Sequence, residues 1–122
     1  MSLSLAVAAK GHCQAQDFFA ALDEAGMLAS PELEIIIAHD ETWPMHATLP
    51  SNVRLCACPR GTSILKLWGI AMAQGTQPFV AALDLRCPPQ PAWWSRVRRE
   101  IERGTPVFFG PVDPGWSERD AR

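Results

Sequence analysis

The stretch LEIIIAHD, residues 33 to 40, limits the fold more than any other part of the chain. It is nearly continuous in apolar and β-branched residues, so both of its alternating side-chain sets need cover. A strand apolar on both faces belongs in a parallel sheet with helices packed on either side. The sequence around it supplies the other pieces. LSLAVA, 3 to 8, reads as a first strand, with KGHCQ as the loop after it. Ala15, Phe18, Phe19, Leu22 and Ala25 then form an apolar stripe at helical spacing, which Gly26 ends. Residues 41 to 51 hold two prolines and no periodicity, which predicts a loop, and NVRLCACP, 52 to 59, is a third strand.

Thr62 is placed to cap a helix over 63–74 that carries Ile64, Leu65, Trp68, Ala71 and Met72 on one side, with Gly75 at its end. QPFVAALD makes a fourth strand. The proline-rich CPPQP leads into a further helix with Pro91 in its first turn, where a missing N–H costs nothing. Trp94, Val97 and Ile101 of that helix face inward, and Arg96, Arg99 and Arg103 face solvent. PVFFGPV, 106 to 112, reads as a fifth strand, and the chain turns polar beyond Asp113. Strand and helix alternate without an internal repeat. The expected fold class is therefore α/β: three layers around a mainly parallel sheet. We expect one domain over 1–112 and a polar tail over 113–122.

Composition narrows the function. Hydrophobic residues make up 48% of the 122 and charged residues 20%, which is globular, and the formal net charge of -2 gives no basic footprint for nucleic acid. No segment reaches the length of apolar chain that a membrane span requires. The apolar start lacks a basic leader region, so it reads as a buried strand, and the expected location is cytoplasmic. Cys56 and Cys58 are two residues apart in a strand and share a face. They have neither the two-residue gap nor the second pair of a structural zinc site, and read as small, partly buried residues.

In a parallel α/β sheet, ligands bind beyond the carboxyl ends of the strands. Lys10, His12, Asp40 and Asp84 fall at or just past such ends. Gly11 stands alone, without a dinucleotide fingerprint, a phosphate-cradling P-loop or a GxSxG elbow elsewhere in the chain. His12, His39 and His46 share no metal-ligand spacing. Asp40 is suited to ribose hydroxyls, or equally to capping the loop with Glu41. Arg60, followed by Gly61 at a helix start, suits a phosphate or an ordinary junction. PVFFGPV wants cover on both sides, which favours a homodimer or partner subunit.

The order of these segments resembles the nucleotide-binding, amino-terminal half of family 2 glycosyltransferases with the GT-A fold. SLAVAAKGH is similar to that family's first strand and polar loop, and LEIIIAHDETW to its second strand followed by acidic residues that contact the nucleoside. RGTSILKLWGIAMAQGTQPFVAALDLRCPPQPAWW resembles its glycine-containing loop, helix, strand and Asp-x-Asp motif. PVFFGPV resembles the strand that follows. The likeness covers about residues 3 to 112 and implies a truncated GT-A (nucleotide-diphospho-sugar transferase) fold. It also implies a nucleotide-diphosphate-sugar ligand, with Lys10, Asp40, Glu41, Arg60, Asp84 and Arg86 as donor-binding residues.

The family's Asp-x-Asp holds a divalent cation on the donor diphosphate. Here Asp84 matches its first carboxylate and Arg86 replaces the second, so the motif is degenerate. Manganese or magnesium loses support as a cofactor, with Asp84 the one remaining ligand. Arg86 or Lys10 would supply positive charge instead. Family enzymes also carry an acceptor-binding half with a general base. Glu118 and Asp120 match no motif for that role. The implied function is a glycosyltransferase-like, nucleotide-sugar-binding domain. The alternative is a non-catalytic GT-A-like module for assembly or regulation. A flavodoxin- or receiver-like domain also fits the alternation but explains the segment from Asp84 to Trp94 less well.

Overall fold

Side-chain parity along four strands divides the core into two layers. The structure is a computed structural model and describes residues 2–11, 15–28, 30–40 and 49–104. Its elements in chain order are β1 (Leu3–Ala9), α1 (Ala15–Glu24), β2 (Leu33–His39), β3 (Val53–Ala57), α2 (Ile64–Ala73), β4 (Phe79–Asp84) and α3 (Trp93–Glu102). The strands lie in the order β3-β2-β1-β4, and every neighbouring pair is parallel. The expected fifth strand over 106–112 and the tail over 113–122 lie outside the described residues.

Leu3, Leu5, Val7 and Ala9 of β1, with Leu33, Ile35 and Ile37 of β2, point to one side. There they meet Phe18 and Leu22 of α1 and Trp94, Val97 and Ile101 of α3. The intervening residues Ala6, Ala8, Ile36 and Ala38 point to the other side and meet Leu67 and Ala71 of α2. This is why LEIIIA is apolar throughout: it is covered twice. Each large side chain removed from water in this way contributes about 1.5–3 kcal/mol before the entropy of ordering it is counted. Three of the four sheet residues beneath α2 are alanines, so that helix sits close to the sheet.

The inward faces of α1 and α3 match the expectation from periodicity. Helix α2 differs. Leu67 and Ala71 are its buried residues, Ile64 and Trp68 pack beside them, and Leu65 and Met72 are 78% and 40% exposed. Its apolar residues run almost all the way round the helix, so spacing alone does not choose a face. Trp68 Nε1 donates to the Leu83 carbonyl at 2.9 Å, which turns this flank of α2 toward β4. The cap is also one residue later than expected. Ser63 is the N-cap and accepts from the Lys66 amide at 3.3 Å, while the Thr62 hydroxyl donates to the Pro59 carbonyl. Pro91 stands before the Ala92 cap rather than inside α3.

Candidate site at the carboxyl ends of the strands

Helices α1 and α3, which follow β1 and β4, pack on one face of the sheet, and α2, which follows β3, packs on the other. Open α/β sheets bind ligands in a crevice beyond the carboxyl ends of their strands. Here that crevice lies between the ends of β1 and β4. Lys10 extends from the first and Asp84 closes the second.

Lys10 does not stand alone in it. Its Nζ donates to Asp40 Oδ2 at 2.9 Å and to the Thr62 carbonyl at 2.7 Å. Asp40 follows β2 and is only 6% exposed. Its Oδ1 accepts from the Gly11 amide at 2.7 Å, and Oδ2 accepts a second bond, from the Gly61 amide, at 3.2 Å. One carboxylate therefore ties together the chain leaving β1, β2 and β3. Both glycines have left-handed backbones, with φ of 67° and 87°. That conformation costs an L-residue with a side chain, and at these positions it accompanies an amide turned toward Asp40. The Lys10 ammonium and then the Gly11 amide hold the Asp40 carboxyl down to about 2, against the smaller opposing effect of lost hydration.

A second charge pair forms at the end of β4. The Arg86 amide donates to Asp84 Oδ1 at 2.8 Å, its Nε to the same oxygen at 3.2 Å, and its Nη2 to Oδ2 at 3.1 Å. The guanidinium thus covers both carboxylate oxygens. In register, Ala8 lies beside both Ala38 and Asp84. Two strand spacings across and two residues along then put the Asp40 and Asp84 Cα atoms about 12 Å apart, too far to share one ion. Among the described residues, no three His, Cys, Asp or Glu side chains gather as metal ligands. A cation at Asp84 would have to displace a fixed positive charge. The residues do not fit a diphosphate-bridging metal.

Of the remaining expected residues, Arg60 is exposed at the turn before α2, next to Gly61. His39 lies at the end of β2, and its carbonyl accepts the Cys58 amide. Glu41, His12 and His46 lie outside the described residues. Sequence reasoning missed that Lys10 pairs with Asp40, and that Gly11 and Gly61 are that carboxylate's backbone donors. The signal was present: a glycine directly after a basic residue in both AKG and PRG, each just past a strand. A shallow pocket lined by Glu32, Arg98, Ile101 and Glu102 lies toward the opposite end of the sheet, where β2 begins.

Among solved structures, the chain superposes on residues 1–349 of TarS from S. aureus with a TM-score of 0.60 at 13% identity. The match covers 91% of this chain and 38% of that one. The likeness is one of fold. No family model matches the chain, and no curated protein does. The three-layer α/β architecture, with its parallel sheet and GT-A-like topology, is the one expected from the sequence. No helix among the described residues is long and apolar enough to cross a membrane.

Proposed function

We propose that the crevice between β1 and β4 binds a nucleotide-diphosphate sugar without a bridging metal ion, as a glycosyltransferase-like domain of the family 2 type. The observation that carries this reading is the placement of Lys10, Asp40, Arg60, Asp84 and Arg86 along one carboxyl edge of the parallel sheet. Asp40 acts there chiefly by fixing the loops, since its oxygens already accept three donors. Asp84 and Arg86 flank the β4 side of the crevice. The guanidinium presents a planar fork suited to phosphate oxygens and takes the place a cation would have. Glu41, next to Asp40 in sequence, is assigned to the nucleoside on the same reading.

Transfer of the sugar requires a base within hydrogen-bond reach of the acceptor hydroxyl. The two carboxylates described at this edge are both engaged with cations. We therefore assign this domain the donor side of the reaction, with a homodimer mate or partner subunit contributing the acceptor side. A second reading, a non-catalytic GT-A-like module for assembly, draws on the exposure of Leu65, Met72 and Val80, apolar side chains that suit a protein contact.

Calorimetric titration with uridine and guanosine diphosphate sugars, each with manganese and with chelator, tests the proposal. Saturable binding that is indifferent to the metal and weakened in Arg86→Ala and Asp84→Ala is expected. Absence of binding across the panel at millimolar ligand would reject the donor site and leave the assembly reading.

A further inference from the structure

Cys56 and Cys58 form a thiol pair that the nucleotide-sugar reading does not use. Cys56 lies within β3, and the Cys58 amide still donates to the His39 carbonyl at 2.8 Å, so the extended backbone continues through it. The two side chains accordingly share the face that carries α2. Both are half-buried and free, and both pack against the same buried cluster as Ile64 and Trp68. The Cys58 side chain leans back along the strand, with Sγ 3.7 Å from the Cys56 carbonyl oxygen. Burial, and then the nearness of Cys56, push the Cys58 thiol up.

This arrangement suits an ion better than a disulfide. Residues two apart in an extended strand have Cα atoms about 6.6 Å apart. That is near the upper limit for a disulfide, and Cβ atoms on one face of a strand are splayed beyond the spacing it prefers. Two thiolates at about 2.3 Å from one ion are as much as 4.6 Å apart when the ligands are opposed. No third ligand gathers with them among the described residues, so a tetrahedral zinc set is not built. Soft thiolate donors favour Cu(I), zinc and iron–sulfur clusters, and of these Cu(I) is the one that does not call for the four-ligand set missing among the described residues.

We propose that Cys56 and Cys58 form a two-thiolate clamp for a soft, low-coordinate monovalent cation of the Cu(I) type. On binding, each sulfur donates an electron pair to the ion and releases its proton to solvent. Two protons leave for one cation bound, and no oxidation state changes. The clamp lies on the strand that leads through Pro59 and Arg60 to Gly61, outside the crevice between β1 and β4. It stands or falls independently of nucleotide binding.

The test is competition for Cu(I) between the reduced chain and bicinchoninate under exclusion of oxygen. One Cu(I) per chain is expected for the unaltered protein and for Cys13→Ser and Cys87→Ser. Cys56→Ser and Cys58→Ser, checked for folding by circular dichroism, should each bind at least tenfold more weakly. X-ray absorption of the loaded, unaltered protein should show two sulfur neighbours, a readout that needs no variant to fold. Failure of the unaltered chain to draw copper from the chelator would overturn the proposal. So would unchanged affinity in folded Cys56→Ser and Cys58→Ser, or a copper shell of nitrogen and oxygen.

Discussion

Reversing the charge at residue 86 tests the most consequential feature of the site. Arg86 caps both oxygens of Asp84, yet its side chain is 59% exposed against 16% for the aspartate. An ion pair this wet contributes about 0.5 kcal/mol, and a like charge in the same place costs a similar amount. Arg86→Asp is therefore expected to destabilise the fold by about 1 kcal/mol in total. For a chain of this size that is a fall in Tm of about 4 °C. The substitution also builds a pair of carboxylates two residues apart, and these have a use for a divalent cation. Manganese at tenfold above its dissociation constant would return about 1.4 kcal/mol, enough to offset the loss. The assay is thermal unfolding followed by circular dichroism, with manganese or with chelator. The variant should respond to the ion and the parent should not. A parent that gains stability from manganese and loses that gain in Asp84→Asn would refute the claim that Arg86 excludes the cation. An unresponsive variant would show that residue 86 is not what withholds it.

Two further outcomes follow from the same geometry. Asp40 titrates at about 2 in the folded chain against an ordinary value of 3.8, so its contribution is complete above about pH 4 and is lost as the pH falls toward 2. Urea midpoints measured between those limits should fall less steeply in Asp40→Asn than in the parent, and equal slopes would show that this carboxylate does not hold the strand ends. Within α2, Leu67→Ala should cost about 2–5 kcal/mol because its side chain is fully buried, while Leu65→Ala, at a site 78% exposed, should stay within about 0.5 kcal/mol. Urea unfolding of the two variants measures the difference, and similar losses would contradict the orientation of the helix.

The strands were legible in the sequence because burial on both faces leaves an unbroken apolar run, as in Leu33 to Ala38. Helices α1 and α3 were legible because each has one apolar stripe, Phe18 with Leu22 and Trp94 with Val97 and Ile101. In α2, by contrast, Leu65 and Leu67 look alike to any periodicity argument, and only the alanines of the facing strands decide which one is buried. The candidate residues were found from their positions at strand ends, which follow from chain order. Their pairings were not. Whether Lys10 reaches a ligand or Asp40 depends on which strand lies beside β1, and strand order is a property of the assembled sheet. Arg86 pairs with Asp84 through a tight local turn, and a reading centred on the missing second aspartate passed over it.

The Asp40 contacts bear on how the chain folds as well as on what it binds. The amides that reach this carboxylate lie 29 and 21 residues away in sequence, on opposite sides of it. Contacts of such separation close only after long loops have been drawn in, so they come late in assembly. Until then Asp40 must stay hydrated, because burying a charge without its partners is expensive. A collapsed chain with β1, β2 and β3 in a wrong order would trap that charge unpaired. Asp40 thus discriminates among rival strand orders during folding.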